Sequence, residues 1–182
     1  MVEKSIFGTL ADGTAIDLYK ITNKSGAFVT LQTLGAGIQS INVPDKNGVL
    51  ADVVLGFDNP QDYTNPDLGY QGLVVGRWAN RIRGAKFTFN GKEYTTPMNQ
   101  GQWTLHGGGR FSFTPWDVEE TGENYVVFKR FSPDGEDGFG GNFTMRVKYT
   151  FTEDNTLRLE YSVLPSLIVV TGAHASAGTA SD

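Results

Sequence analysis

The feature that most constrains this chain is an alternation of apolar and polar residues at period two. Phe143, Met145, Val147, Tyr149 and Phe151 interleave with Thr144, Arg146, Lys148 and Thr150. Leu157, Leu159, Tyr161 and Val163 interleave with Arg158, Glu160 and Ser162. Successive side chains of a strand point to opposite faces, so each run has one face for a core and one for water. The turn-formers Glu153-Asp154-Asn155-Thr156 separate the runs, which therefore read as a hairpin. A second hairpin, Lys86–Phe89 with Lys92–Thr95, closes on Asn90-Gly91, the pair suited to the two positive φ values of a type I′ turn. Further strands are predicted near 15–22, 28–33, 37–43, 52–55 and 125–131, and no amphipathic helix of useful length is found. Many short strands joined by turns, in a chain with 23 glycines, imply an all-β sandwich or barrel.

Several function classes drop out on composition. With 182 residues the chain is long enough for a core of its own, and with no cysteine it has no disulfide, thiol nucleophile or Cys-based zinc site. The formal charge is -5, and the tightest basic cluster is Arg77, Arg81 and Arg83, which argues against nucleic acid as a partner. No stretch reaches the roughly 20 apolar residues of a membrane helix. Residues 1–8 lack the basic-then-apolar run of a secretory signal. The expectation is a soluble, cytoplasmic protein with no membrane partner.

Two stretches do not read as strands. Residues 58–72, with Pro60 and Pro66, form a long polar loop of the kind that often carries function. Residues 132–142 (SPDGEDGFGGN) form a second, whose acids are expected to be solvated. The acidic groups at 119–123 and 134–137 yield no obvious carboxylate pair for glycoside hydrolysis, and the second lacks EF-hand spacing. There is no G-x-S-x-G elbow, P-loop or dinucleotide fingerprint. Of two histidines, His106 sits in Leu105-His106-Gly107-Gly108, where small neighbours allow close approach of another group. Arg77, Asn80 and Arg81 lie in one run with Trp78, and such side chains suit sugar hydroxyls with an indole alongside, from Trp78, Trp103 or Trp116. On residue type alone, a structural loop role for His106, ion pairs for the arginines and core positions for the tryptophans remain open.

Taken together, several segments resemble the aldose 1-epimerase (galactose mutarotase) family. They are Leu34-Gly35-Ala36-Gly37-Ile38, Asp52-Val53-Val54-Leu55-Gly56-Phe57, Gly76-Arg77-Trp78-Ala79-Asn80-Arg81-Ile82, Phe89-Asn90-Gly91-Lys92-Glu93-Tyr94, Leu105-His106-Gly107-Gly108 and Ser132-Pro133-Asp134-Gly135-Glu136-Asp137-Gly138-Phe139. Their order holds over residues 5–162, and G-R-x-A-N-R-I and L-H-G-G are the most specific. The resemblance implies a large antiparallel β-sandwich that interconverts the α and β anomers of free hexoses such as galactose and glucose, with no metal and no organic cofactor. It implies that Asn80 and Arg81 bind sugar hydroxyls and that His106 is catalytic at the ring. Family members also carry a second His, which protonates the ring oxygen, in an N-H-x-Y-F-N-L motif. His174 lies 68 residues beyond His106, near that place, without the motif. The family's base, a downstream Glu, has no counterpart here.

The chain therefore divides, as an expectation, into 1–163, the front portion of the sandwich, and an atypical tail, 164–182. Between Val163 and Asp182 the only charged residue is Asp182, and the small-residue end reads as a disordered or frameshifted extension of a truncated sandwich. Little or no anomer exchange is expected, with a non-catalytic carbohydrate-binding module as the rival function.

Overall fold

The computed structural model describes residues 1–165. The first sheet is an antiparallel meander of β1 (Val2–Thr9), β2 (Ala15–Thr22), β3 (Phe28–Gln32), β4 (Gly37–Pro44) and β5 (Leu50–Asp52), in that spatial order. Four short strands follow: β6 (Arg81–Arg83), β7 (Lys86–Phe89), β8 (Lys92–Thr95) and β9 (Trp103–Leu105). β7 and β8 form the Asn-Gly hairpin, with Asn90 and Gly91 both at positive φ (49° and 75°), while β6 pairs with β9. A second meander contains β10 (Asp117–Thr121), β11 (Tyr125–Ser132), β12 (Phe143–Phe151) and β13 (Leu157–Pro165). The predicted antiparallel, all-β architecture is thus present.

Two apolar faces make one core. Tyr19, Ile21, Val29, Leu31 and Ile38 of the first sheet meet Val126, Phe128, Phe143, Met145, Val147, Tyr149 and Phe151 of the second. Along β12 burial alternates residue by residue, as the sequence pattern predicts. The Tyr149 hydroxyl donates to the Ala36 carbonyl at 2.7 Å and ties the layers together. Complete burial pushes that phenol well above its ordinary pKa. At one end the turns interlock: Asn23 Nδ2 donates to Thr152 O (3.1 Å) and Asn155 Oδ1 (2.7 Å), and Lys24 N to Glu153 Oε2 (2.9 Å).

Differences from the sequence expectations have local causes. The strand expected near 52–55 is β5, ending at Asp52, whose Oδ1 accepts from both Ile41 N and Val54 N and turns the chain away. The acids Glu119 and Glu120 lie on β10, a strand the sequence pattern did not reveal. Glu119 pairs with Arg146 on β12 and with Lys129 on β11, and these hydrogen bonds hold its carboxyl down to about 2. The 132–142 loop is not simply solvated: Glu136 accepts from Arg130 Nη1 and Nη2, both at 2.8 Å, in a largely buried pair. β13 runs two residues into the segment read as a tail, and the remainder of that tail, including His174, lies outside the described residues.

The alternation along β12 is directly testable. Met145, 1% exposed, when changed to Ala should lower unfolding stability by about 2–5 kcal/mol in chemical denaturation. Thr144→Ala on the opposite face should cost less than about 1 kcal/mol.

Candidate functional site

Three-residue pairing between β6 and β9 places Arg81 opposite Leu105, so Asn80 and His106 flank the same end of the ladder. The two residues bond reciprocally: His106 N donates to Asn80 O at 3.0 Å, and Asn80 N donates to His106 Nδ1 at 3.1 Å. Both adopt left-handed backbone, φ 67° at Asn80 and 49° at His106, a region that asparagine tolerates better than most residues. Arg81 Nη1 donates to Asn80 Oδ1 (3.2 Å) and Arg81 Nε to Gln100 Oε1 (2.6 Å). Asn80, Arg81 and His106, singled out from sequence, therefore form one hydrogen-bonded group. Asn80 and Arg81 are exposed and His106 is half-buried.

Close packing fixes the L-H-G-G turn. Gly107 has φ 70°, and a Cβ there would lie 2.2 Å from the Gly76 carbonyl oxygen. A Cβ on Gly76 would in turn lie 2.7 Å from the Phe111 ring. The group that approaches Gly107 so closely is thus the chain's own backbone just before Arg77.

Burial lowers the His106 pKa from its ordinary value, and the nearby Arg81 charge lowers it further. The imidazole is therefore neutral at pH 7. Because Nδ1 accepts from Asn80 N, the ring proton resides on Nε2. The group offers an Nε2–H donor, the Asn80 amide and the Arg81 guanidinium, a set matched to hydroxyl and hemiacetal oxygens.

Other candidates are placed elsewhere. Arg77 is 3% exposed and points inward. It donates to Ser132 Oγ and O, Pro133 O, Gly140 O and Gly141 O, so its role is to join segments and not to bind sugar. Trp116 is in the core with Nε1 donating to Phe111 O at 3.0 Å. Trp103 on β9 is 40% exposed and pairs with Arg83, at the other end of the ladder from Asn80 and His106, and Trp78 is half-buried. Among the described residues no group of three or more His, Cys, Asp or Glu is arranged to hold a metal ion.

The structure adds residues that sequence reasoning missed. Gln100 holds Arg81. Asn99 clamps Leu105, accepting from its N at 2.7 Å and donating to its O at 2.9 Å. Tyr70, from the long 58–72 loop, sets its ring 4.6 Å from the imidazole at 65°. Only the loop length pointed toward Tyr70; nothing in the local pattern marked Asn99 or Gln100.

Two outcomes follow from this geometry. His106 should titrate with a midpoint below 6.5 and show the Nε2–H tautomer by imidazole 15N shifts. A lowered folded-state pKa means that the unfolded chain binds the proton more readily, so stability should fall as pH drops through 6.5 toward the folded value and be regained above 6.5. Gly107→Ala should disrupt the turn and abolish the reciprocal Asn80–His106 bonds, read as loss of that 15N signature, because backbone blocks the new methyl group.

The family model described as Aldose 1-epimerase matches residues 17–175. Aldose 1-epimerase of Haemophilus influenzae is 39% identical over 164 residues, covering 89% of this chain and 46% of that protein. Galactose mutarotase of Rattus norvegicus is 38% identical over 151 residues, covering 82% and 43%. The crystal structure of the GalM/aldose epimerase homologue from C. elegans superposes with a TM-score of 0.79 at 33% identity, over 88% of this chain and 50% of that one. Galactose 1-epimerase from Lactobacillus acidophilus shares the fold, with a TM-score of 0.80 at 20% identity over 95% and 51%. The chain spans about half the length of the curated relatives it matches.

Proposed function

We propose, since this chain belongs to the aldose 1-epimerase family, that it binds a free hexose such as galactose or glucose at Asn80, Arg81 and His106 and takes part in interconverting the sugar's anomers. The observation that carries this reading is the reciprocal pairing of Asn80 with His106, which occupies Nδ1 and leaves the donor of the imidazole at Nε2. Ring opening of a hemiacetal needs a proton delivered toward the ring oxygen and another removed from the anomeric hydroxyl. A neutral imidazole donor stabilises negative charge as it builds on oxygen. Arg81, held by Gln100 and Asn80, presents its guanidinium to sugar hydroxyls at a defined angle.

The described residues supply one side of this chemistry more fully than the other. Among them, no carboxylate is hydrogen-bonded to Asn80, Arg81 or His106, which supports the reading that the base for the anomeric proton is not supplied beside this group. We assign to these 182 residues sugar binding with anomer exchange slow or absent, which makes the binding-module reading and the family reading two outcomes of one experiment. His174 belongs to the proposal as a candidate second proton donor, and cytoplasmic location as its setting.

Polarimetry on freshly dissolved α-galactose should give a rate close to that of buffer, while calorimetry detects galactose binding. A rate far above buffer would show that a base is present after all, and absence of any heat of binding would remove the sugar assignment. Arg81→Ala should weaken binding by about 10–100-fold, the value of a hydrogen bond from a charged group.

A further inference from the structure

We infer that Tyr70 is the positioning residue for His106: its ring packs edge-to-face on the imidazole and holds the plane in which Nδ1 meets Asn80 N, leaving Nε2–H as the donor. The inference deepens the proposed sugar-binding reading and rests on it for its functional consequence, though not for its structural test.

The need for such a residue follows from the bonds that His106 makes. One neutral hydrogen bond, from the exposed Asn80, fixes the ring orientation. A half-turn about the Cβ–Cγ bond would present a carbon to Asn80 N and remove that bond. Neutral hydrogen bonds at a surface are modest, because water competes for both partners. A second contact is required to hold the plane of the ring, and the Tyr70 ring supplies it, with centroids 4.6 Å apart at 65°; within that plane the Asn80 bond selects Nδ1.

Tyr70 is itself held on two sides. Its ring stacks on Phe113 at 4.8 Å and 29°, and Phe113 packs against the cluster of Ile16, Leu34, Tyr63 and Leu73. Its hydroxyl receives Asn99 Nδ2 at 3.4 Å, and the same Asn99 brackets both polar backbone atoms of Leu105, the residue just before His106. The contact therefore runs from a buried apolar cluster through two rings to the imidazole, while the amide latch sets the backbone from which that imidazole hangs. The long loop between β5 and β6, which sequence analysis marks as a functional candidate, thereby has a specific task.

Charged groups near this arrangement are few. Arg81 acts on His106 from β6. Burial raises the Tyr70 pKa, and the Asp137 charge acts on Tyr70 in the same direction. Asp137 also borders the glycine turn, where a Cβ on Gly108 would come within 3.2 Å of Asp137 Oδ2, and Arg110 Nε is 3.8 Å from Asp137 Oδ1. None of these substitutes for the ring contact.

The test compares Tyr70→Phe, Tyr70→Leu and the parent by imidazole 15N and 1H NMR, with His174→Gln resolving the two histidines. The parent should show ring-current-shifted His106 carbon-bound protons and a single Nε2–H tautomer. Tyr70→Phe should retain both, whereas Tyr70→Leu should lose the ring-current shift, mix the tautomers and move the titration midpoint upward. Galactose affinity should fall several-fold in Tyr70→Leu and recover in Tyr70→Phe. A parent without the ring-current shift would overturn the inference, even if Tyr70→Leu does not fold. So would a folded Tyr70→Leu with the parent's tautomer and midpoint. If the parent binds no galactose, the sugar assignment fails while the NMR comparison still judges the role of Tyr70.

Discussion

A buried guanidinium joins the segment that carries the site to the second sheet. Arg77 follows Val74 and Val75, which are packed inside, and precedes the exposed Asn80 and Arg81 by only a few residues. Its five hydrogen bonds end on Ser132, Pro133, Gly140 and Gly141, the two ends of the loop between β11 and β12. The planar fork of arginine satisfies several acceptors at once, which a lysine ammonium does not do in this geometry. Burial lowers the Arg77 pKa while the charge of Glu136 offsets that effect, so the cation is maintained without a direct ion pair among the described residues. Phe143 lies beneath it at 5.4 Å. Without this anchor, four carbonyls would lose a charged donor and the chain leading to Asn80 would lose its hydrogen bonds to the β11–β12 loop.

The same loop shows how one charge requires another. Glu136 lies between Arg130 and Ser132, and Arg130 stacks over Phe111 at 4.8 Å. Phe111 is the ring that presses on Gly76, whose carbonyl in turn borders Gly107. Bidentate pairing compensates the burial of Glu136, whose carboxyl stays below its usual value despite desolvation. Asp137, the next residue, meets its partner Arg110 only at 3.8 Å, and burial with the adjacent Glu136 charge raises its pKa. Two neighbouring acids thus diverge because one has a guanidinium fork and the other does not.

How far the sequence foretold this depends on element length and on exposure. The β12–β13 hairpin was legible because nine-residue strands repeat the period-two pattern several times and one face of β12 is sealed in the core. β1 was not, since most of Val2–Thr9 is wet on both faces and leaves no alternation to detect. β10 was obscured by its acids, whose partners Arg146 and Lys129 come from two other strands. β6 and β9 have three residues each, too few for any periodicity, and yet they set the site. Residue type marked Asn80, Arg81 and His106 as candidates and the family resemblance grouped them, whereas hydrogen bonding between residues 26 apart has no local signature. From sequence, Arg77 stays open between a structural and a sugar-facing role for the complementary reason: the residue type shows its donors, and only the fold shows where they are used.

The backbone around His106 explains why an imidazole is held here at all. His106, Gly107, Gly108 and Gly109 all have positive φ, from 49° to 101°, and Asn80 opposite them has φ 67°. Such a run is unfavourable for a side-chain-bearing residue and is maintained only where the surroundings leave no alternative. Here the surroundings are Gly76 against Gly107, Asn99 across Leu105, and the two backbone amides exchanged between Asn80 and His106. The turn brings Asn80 N within reach of a ring nitrogen, and that contact selects the tautomer. Proton placement at this site is therefore a consequence of backbone conformation: the glycines admit the turn, the turn orients Nδ1 toward Asn80, and a neutral donor at Nε2 follows.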